Sequence, residues 1–450
     1  MSVQRHFVEK GVDVQSDAIS VVGIGDMAGD VFGNGMLCSE HICLVAAFNH
    51  LHIFIDPNPD PKVGFGERKR LYEEVAGWGR YDTSLISEGG GIFSRDQKEI
   101  PLSPQIRERF EIEAESLTPG ELITVLLKAN VDLLWNGGIG TFVKAESESH
   151  EEVGDKTNDG LRVDAGELRC RVVGEGGNLG MTQLARIEFC LNGGACNTDF
   201  IDNSAGVDCS DHEVNIKILL NALEREGKLQ RKERNELLVG MTDAVSSLVL
   251  YNNYRQARAI SLAQSQSLKR TVEYLRMLDC WERDDMIDRT LEFLPSNEAL
   301  QERSARGAGL TRAELSVLIA YSKGILKEAL IGSDIISDPL LSGLLAKAFP
   351  DEFVDRYRDG LSGHALRREI VATQWANDLV NHMGPSYLYR LDEASGASVE
   401  EVVRAYAAAR EIFSLAELWE EIEVLDYDVS PDVQHGMMYD LSRPVSYTHL

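Results

Sequence analysis

The chain has 450 residues, 43% of them apolar and 26% charged, the composition of a globular protein with room for two or three domains. A formal net charge of −28 repels nucleic acid and anionic bilayers, so neither is an expected partner, yet it leaves room for a small phosphate ligand held by backbone N–H groups. No apolar run approaches the length that spans a bilayer, and the opening MSVQRHFVEKGVDVQSD lacks the apolar core of a secretory signal, so the cytoplasm is the expected compartment.

In chain order, the first informative stretch is residues 19–35, ISVVGIGDMAGDVFGNG. An apolar run breaks into glycines and continues with helix-compatible residues, as in a strand, a phosphate-binding turn and a helix start. Gly23 suits the tight turn, Gly25 allows a pyrophosphate to approach without a Cβ in the way, and Ala28 supplies the small residue where the helix packs on the strand. Asp26 puts a carboxylate beside the proposed phosphates, and Gly33 and Gly35 fall inside the expected helix, predicting a short or distorted one. The next stretch, HICLVAAFNHLHIFIDPNPDP, carries strand signals at 42–48 and 52–55. The spacing expected for a ribose-binding acid lands near Asn49, which is an amide. The nearest carboxylate ending a β-rich run is Asp56, taken here as the ribose ligand; Lys62 nearby keeps a 2′-phosphate possible.

The pattern repeats. Residues 83–87 lead into Glu88-Gly89-Gly90-Gly91, 131–135 into Asn136-Gly137-Gly138-Ile139-Gly140, 170–173 into Gly174-Glu175-Gly176-Gly177-Asn178, and 198–201 into Asp202-Asn203-Ser204-Ala205-Gly206. Strand-like runs that end in glycine-rich or polar clusters, with helices between several of them, predict a doubly wound, Rossmann-like parallel sheet with its ligand at the carboxyl ends of the strands. Thr118-Pro119-Gly120-Glu121 is a capping box opening one of those helices. From about residue 211 helical periodicity takes over, with further capping boxes at Thr311-Arg312-Ala313-Glu314 and Ser398-Val399-Glu400-Glu401. The expected organisation is a dinucleotide-binding domain over 17–210 and an extended helical region over 211–443, with 444–450 set aside as a non-native tail. The apolar stripes of the helices suit a core or a subunit contact, and a homo-oligomer is expected.

Other signals carry no chemistry. Asp155-Lys156-Thr157-Asn158-Asp159-Gly160 opens like a calcium loop but has Gly166 where a bidentate Glu is required. His150-Glu151 and His212-Glu213 lack the second histidine of a zinc helix. The seven cysteines form no C-x-x-C pair and read as reduced thiols, and no metal is expected.

The strings VVGIGDMAGDVFGNGML, DTSLISEGGGI, VDLLWNGGIGT, VVGEGGNLGMTQLARIE and IDNSAGVDCSDHEVNIKILLN together resemble the large, NAD-specific glutamate dehydrogenases of bacteria. The resemblance implies oxidative deamination of L-glutamate to 2-oxoglutarate and ammonia, with NAD as cofactor. It also implies that Gly23, Gly25 and Ala28 hold the pyrophosphate, with Asp26 beside them, and that Asn178 lies at the nicotinamide end. Asn203-Ser204-Ala205-Gly206-Val207 is similar to the N-A-G-G-V stretch of the smaller glutamate dehydrogenases, which implies substrate contacts from Asn203 and Ser210; from its local sequence alone Ser210 equally reads as a helix N-cap. In that family the glutamate-binding domain, with a catalytic lysine and aspartate, precedes the dinucleotide domain. The expectation is therefore a C-terminal part of a longer enzyme that binds NAD but turns over little glutamate alone. Lys144 and Lys217 stand as catalytic candidates only by default. A non-catalytic NAD-sensing or assembly module, or another NAD-dependent amino-acid dehydrogenase, is the alternative.

Overall fold

The computed structural model describes residues 1–447. It divides into a sheet-bearing unit, residues 2–203 with 311–313, and a helical unit of residues 204–310 and 314 onward. The last helix, Pro431–Tyr447, includes residues 444–447 of the segment set aside above; residues 448–450 lie outside the described residues.

The central sheet has six strands: β1 (Ile19–Ile24), β2 (Ile42–Phe48), β3 (His52–Ile55), β4 (Gly91–Ser94), β5 (Leu133–Asn136) and β6 (Val172–Glu175), in the order β6-β5-β1-β2-β3-β4. The first four in that order, β6, β5, β1 and β2, run parallel. They read as near-continuous apolar runs because both faces are covered. Ile19 and Val21 pack into one core with Phe7, Phe32, Met36 and Leu71. Val22 and Ile24 pack into the other with Leu122, Leu126 and Phe189. The helices supplying these side chains are α1 (Ser2–Val8), α2 (Asp30–Leu37) and α3 (Pro61–Glu73) on the first face, and α4 (Pro119–Leu127) and α5 (Gln183–Leu191) on the second. The capping box of α4 forms as expected: Thr118 Oγ1 accepts from Glu121 N–H (3.3 Å) and the Glu121 carboxylate accepts from Thr118 N–H (2.9 Å).

The doubly wound, mainly parallel sheet is as expected, with β3 alone reversed against its neighbours β2 and β4. Two expected strands are corrected. Residues 83–87 form the 3₁₀ turn Thr83–Leu85 rather than a strand, since the Asp82 carboxylate accepts from Ser84 N–H (3.0 Å) and closes the chain locally. Residues 198–201 enter the short helix α6 (Asp199–Asp202), begun by the Ile201 N–H bond to Thr198 O (3.1 Å). The helical character therefore starts before residue 211.

Helix α2 is short, and its two glycines have packing reasons. A Cβ on Gly33 would strike the ring of Tyr72 from α3, and one on Gly35 would come 2.7 Å from the Trp135 indole on β5. Ala28 does not take that role: it is exposed and precedes the helix, whose N-cap is Gly29. The small residue between helix and sheet is Gly35.

In the helical unit, Ser204–Arg225, Thr242–Ser267 and Arg312–Gly332 are the longest helices, and the capping box at Ser398 and Glu401 forms. Asp378, buried on Arg367–Met383, accepts from Arg255 Nη2 (3.0 Å) and from Tyr406 OH (2.8 Å), with Arg410 Nε 3.2 Å away. His382 lies flat on Trp419, centroids 3.8 Å apart, with Nδ1 against Asp378 O and Nε2 against Arg255 Nη2. Donation from Nδ1–H and acceptance at Nε2 define a neutral ring, and burial holds the His382 pKa well below its usual value.

This packing makes the cost of an added methyl depend on its place. Gly35→Ala should lower stability by about 1–3 kcal/mol despite its gain in helix propensity, because the indole must move. Gly324→Ala, on a helix position with open space around it, should raise stability by about 1 kcal/mol; thermal denaturation of both variants checks the contrast. Although burial opposes its ionisation, Arg255 and Arg410, with the hydrogen bond from Tyr406, hold the Asp378 carboxyl down to about 2. A depressed acid contributes stability above its unfolded pKa and loses it as pH falls through the folded one. The margin by which the wild type exceeds Asp378→Asn in chemical denaturation should therefore shrink by roughly 2 kcal/mol between about pH 5 and pH 2.

Candidate functional site

β1 is flanked by β2 on one side and β5 on the other, so the chain leaves it in opposite directions. That is a topological switch point, where a crevice opens beyond the carboxyl ends of the strands. Three glycine-rich turns gather there, after β1, β5 and β6.

The first turn is fixed from three sides. Gly25 N–H donates to Phe48 O (2.7 Å), and Gly25 O accepts from Trp78 Nε1 (2.8 Å). Gly25 has φ +135°, a setting other residues rarely adopt. A Cβ at Gly23 or Gly25 would come 2.5 or 2.7 Å from the Phe32 ring. Asp26 folds back over the turn: Oδ1 accepts from Ala28 N–H (2.9 Å), and Oδ2 accepts from Asn49 Nδ2. Gly29 caps α2 without a side-chain hydrogen bond, and a Cβ there would meet nothing closer than Asp26 O at 3.5 Å. The N-cap of α2 is thus bare backbone, with the exposed carboxylate of Asp30 next to it in the first turn.

The second and third turns lean on the first and on each other. Gly137 N–H donates to Ile24 O (2.9 Å), and Gly176 and Gly177 N–H donate to Asn136 O (2.9 and 3.0 Å). A Cβ on Gly177 would lie 2.5 Å from Gly138 O. Beneath them a buried ionic group anchors the end of β6. Glu175, wholly buried, receives Arg186 Nε and Nη2 (2.6 and 3.0 Å) and Met181 N–H (3.0 Å). Arg186 also meets Asp199 (3.4 Å), whose other oxygen accepts from Leu179 N–H (2.8 Å), and Asp202 accepts from Glu175 N–H (3.1 Å). Burial pushes the Glu175 carboxyl up against the pull of Arg186. Leu179, held by Asp199, takes a left-handed φ of 56° and stays exposed. Asn178 is exposed at this turn, and its Oδ1 accepts from Asn203 Nδ2 (2.6 Å).

The structure therefore brings together Gly23, Gly25, Asp26 and Ala28 in one turn, and Asn178 with Asn203 at another. It does not bring Asp56 to them. Because β3 is antiparallel, Asp56 follows it at the opposite end of the sheet, where its N–H donates to Val45 O (2.9 Å) and its carboxylate receives Ser87 N–H (3.2 Å) and Oγ. Asp56 is a buried structural acid, and Lys62, exposed in the first turn of α3, starts from that same end. Asn49, directly after β2, lies beside the first turn, its Nδ2 donating to Asp26 Oδ2. Ser210 lies inside the helix Ser204–Arg225 on an exposed face, not at an N-cap. Lys144 is buried and paired with Asp164, and Lys217 is paired with Glu213 one turn away; neither stands as an uncommitted base. The seven cysteines are unbridged. Trp78, Phe32 and the Glu175–Arg186 pair escaped sequence reasoning, because an apolar ring or an ion pair eleven positions apart leaves no periodic signal.

The bare start of α2 and the glycine turns fit a dinucleotide. A buried donor, Asn136 Nδ2, without a hydrogen-bond partner among the described residues, lies at the end of β5. Together they define a doubly wound α/β protein with its ligand turns at the switch point. Family models agree: residues 1–263 match the catalytic domain of bacterial NAD-glutamate dehydrogenase, and residues 307–448 match the glutamate dehydrogenase C-terminal family. The chain belongs to the bacterial NAD-glutamate dehydrogenase family. It is 58% identical to the NAD-specific glutamate dehydrogenase of Pseudomonas aeruginosa and 54% identical to that of Halomonas elongata, each over 98% of this chain. Identity to the Mycobacterium tuberculosis protein of the same name is 46% over 95%. The chain spans 27%, 28% and 27% of the length of these relatives.

Arg186→Met should destabilise the sheet unit by about 3–5 kcal/mol by stranding the Glu175 charge. Adding Glu175→Gln should recover much of that loss, a coupling that chemical denaturation of the double-mutant cycle reads directly.

Proposed function

We propose that the sheet unit binds NAD across the switch point and that the chain supplies the cofactor-binding part of an enzyme that oxidises L-glutamate to 2-oxoglutarate and ammonia. The observation that carries this is the bare N-terminus of α2 facing the crevice where three glycine turns meet. The names of the relatives support both cofactor and substrate. NAD, when bound, takes the hydride from the Cα of the amino acid. The chain's own part is positioning. The backbone at the start of α2 faces the pyrophosphate, and Gly25 and Ala28, whose N–H groups are tied to Phe48 O and the Asp26 carboxylate, set the shape of the turn that presents it. Gly23 lets the strand end pack on Phe32, and Asn178, oriented by Asn203, lies at the nicotinamide end. Ser210 is assigned to the substrate carboxylate. The catalytic lysine and aspartate are not assigned to residues of this chain. Assembly of several copies and a cytoplasmic setting belong to the same proposal; among the described residues no helix is long and apolar enough to cross a membrane.

The test is a fluorescence titration with NADH of the wild-type chain and of Gly29→Glu. Gly29 has φ −89° and ψ 127°, so a side chain fits there and the fold should persist. The new carboxylate at the helix start should weaken NADH binding by at least about tenfold. Equal affinity in the two proteins, or no binding by the folded wild type, would overturn the proposal.

A further inference from the structure

In doubly wound dinucleotide sites the adenosine ribose is read at the end of the strand that follows the glycine turn, ordinarily by an acid on that strand. Here that strand is β2, and the residue after it is an amide, Asn49. The carboxylate present at this place comes from elsewhere. Asp26, the residue after Gly25, reaches across so that Oδ2 accepts from Asn49 Nδ2, while Oδ1 is tied to Ala28 N–H (2.9 Å). Asn49 is itself fixed, its Oδ1 accepting from Leu51 N–H (2.8 Å) and His52 N–H (2.7 Å). The backbone of Gly77 closes the other side, since a Cβ there would lie 3.7 Å from Asp26 Oδ2. Asp26 is half-buried and keeps an open face. Arg95 stands at the same strand end, its Nη1 donating to Asn49 O (2.8 Å).

We infer that Asp26, delivered by the glycine turn and braced by Asn49, is the residue that selects NAD over NADP. The inference rests on the dinucleotide reading above and goes beyond it by assigning the ribose contact. A carboxylate offers about four acceptor positions, and the bonds to Ala28 and Asn49 leave Oδ2 able to accept from a ribose 2′-hydroxyl as well. A 2′-phosphate at the same place would meet like charge. The arrangement also gives Arg95 a definite part. With the Asp26 charge removed, its guanidinium, held at Asn49 O, is left as an anion-binding group at the strand end.

The experiment compares NADH and NADPH titrations of the wild-type chain, Asp26→Asn, and Asp26→Asn with Arg95→Gln. Asparagine can still accept from Ala28 N–H through Oδ1, so the turn keeps that bond, while its Nδ2 gives up the Asn49 bond together with the charge. The wild type should favour NADH, Asp26→Asn should shift the ratio toward NADPH by at least about tenfold, and the added Arg95→Gln should reverse most of that shift. A ratio unchanged within about twofold in a folded Asp26→Asn would overturn the assignment while leaving the dinucleotide site intact. No NADH binding by the wild type would remove both. A second measurement needs no variant: ADP-ribose should displace NADH from the wild type far better than 2′-phospho-ADP-ribose, and equal displacement would overturn the inference.

Discussion

One aromatic ring sets the spacing of the ligand turns. Phe32 projects from α2 beneath the end of β1; a Cβ at Gly23 or Gly25 would come within 2.5 or 2.7 Å of its ring, and one at Gly137 within 2.7 Å of its Cα. Its ring meets Trp78 edge-on, centroids 5.7 Å apart, and Trp78 in turn donates to Gly25 O. The glycines are therefore needed first by the protein's own packing. Only with this ring seated can the strand end, the turn and the helix start approach closely enough to leave bare backbone facing the crevice. Phosphate recognition by a glycine turn is here a consequence of close packing behind it.

Much of this was legible in the chain. Strands β1, β2, β5 and β6 each follow an apolar run, and three of them end where that run gives way to glycines; the capping boxes at Thr118 and Ser398 open helices as their side chains require. What failed has a common cause. Residues 83–87 and 198–201 have the length of strands, but a single aspartate before one and a Thr-Asp start in the other let the chain close on itself, and local hydrogen bonds outweighed β propensity. Asp56 failed for a different reason: distance along the chain implied the strand end, whereas the reversal of β3 carried that residue to the opposite end of the sheet. The partners of Asn49 and Asn178 depend on three-dimensional approach, which spacing alone does not encode.

The two units hold their interiors in related ways. Each buries a carboxylate under guanidinium groups: Glu175 with Arg186 at the end of β6, and Asp378 with Arg255 and Arg410 among the helices. Such groups cost desolvation and return it only in a narrow geometry, so they fix relative positions more than they add stability. For Glu175 the position fixed is that of the Gly176-Gly177-Asn178 turn. Arg68 does similar work with neutral partners, donating from burial to Met36 O and Ile42 O (3.2 and 3.3 Å) at the close of α2.

The two margins of the sheet have a bearing on how copies of this protein behave when crowded together. Along β6 the outer hydrogen-bonding positions are already taken, since Val173 N–H donates to Ala195 O (3.0 Å) and Ala195 N–H to Arg171 O (3.1 Å). At the other margin β4 is four residues long, begins at a glycine and passes directly into Arg95. A short strand flanked by charge offers little for a foreign strand to extend. Sheet-to-sheet templating, the usual route from an open sheet to fibrils, is thus disfavoured at both margins of this sheet.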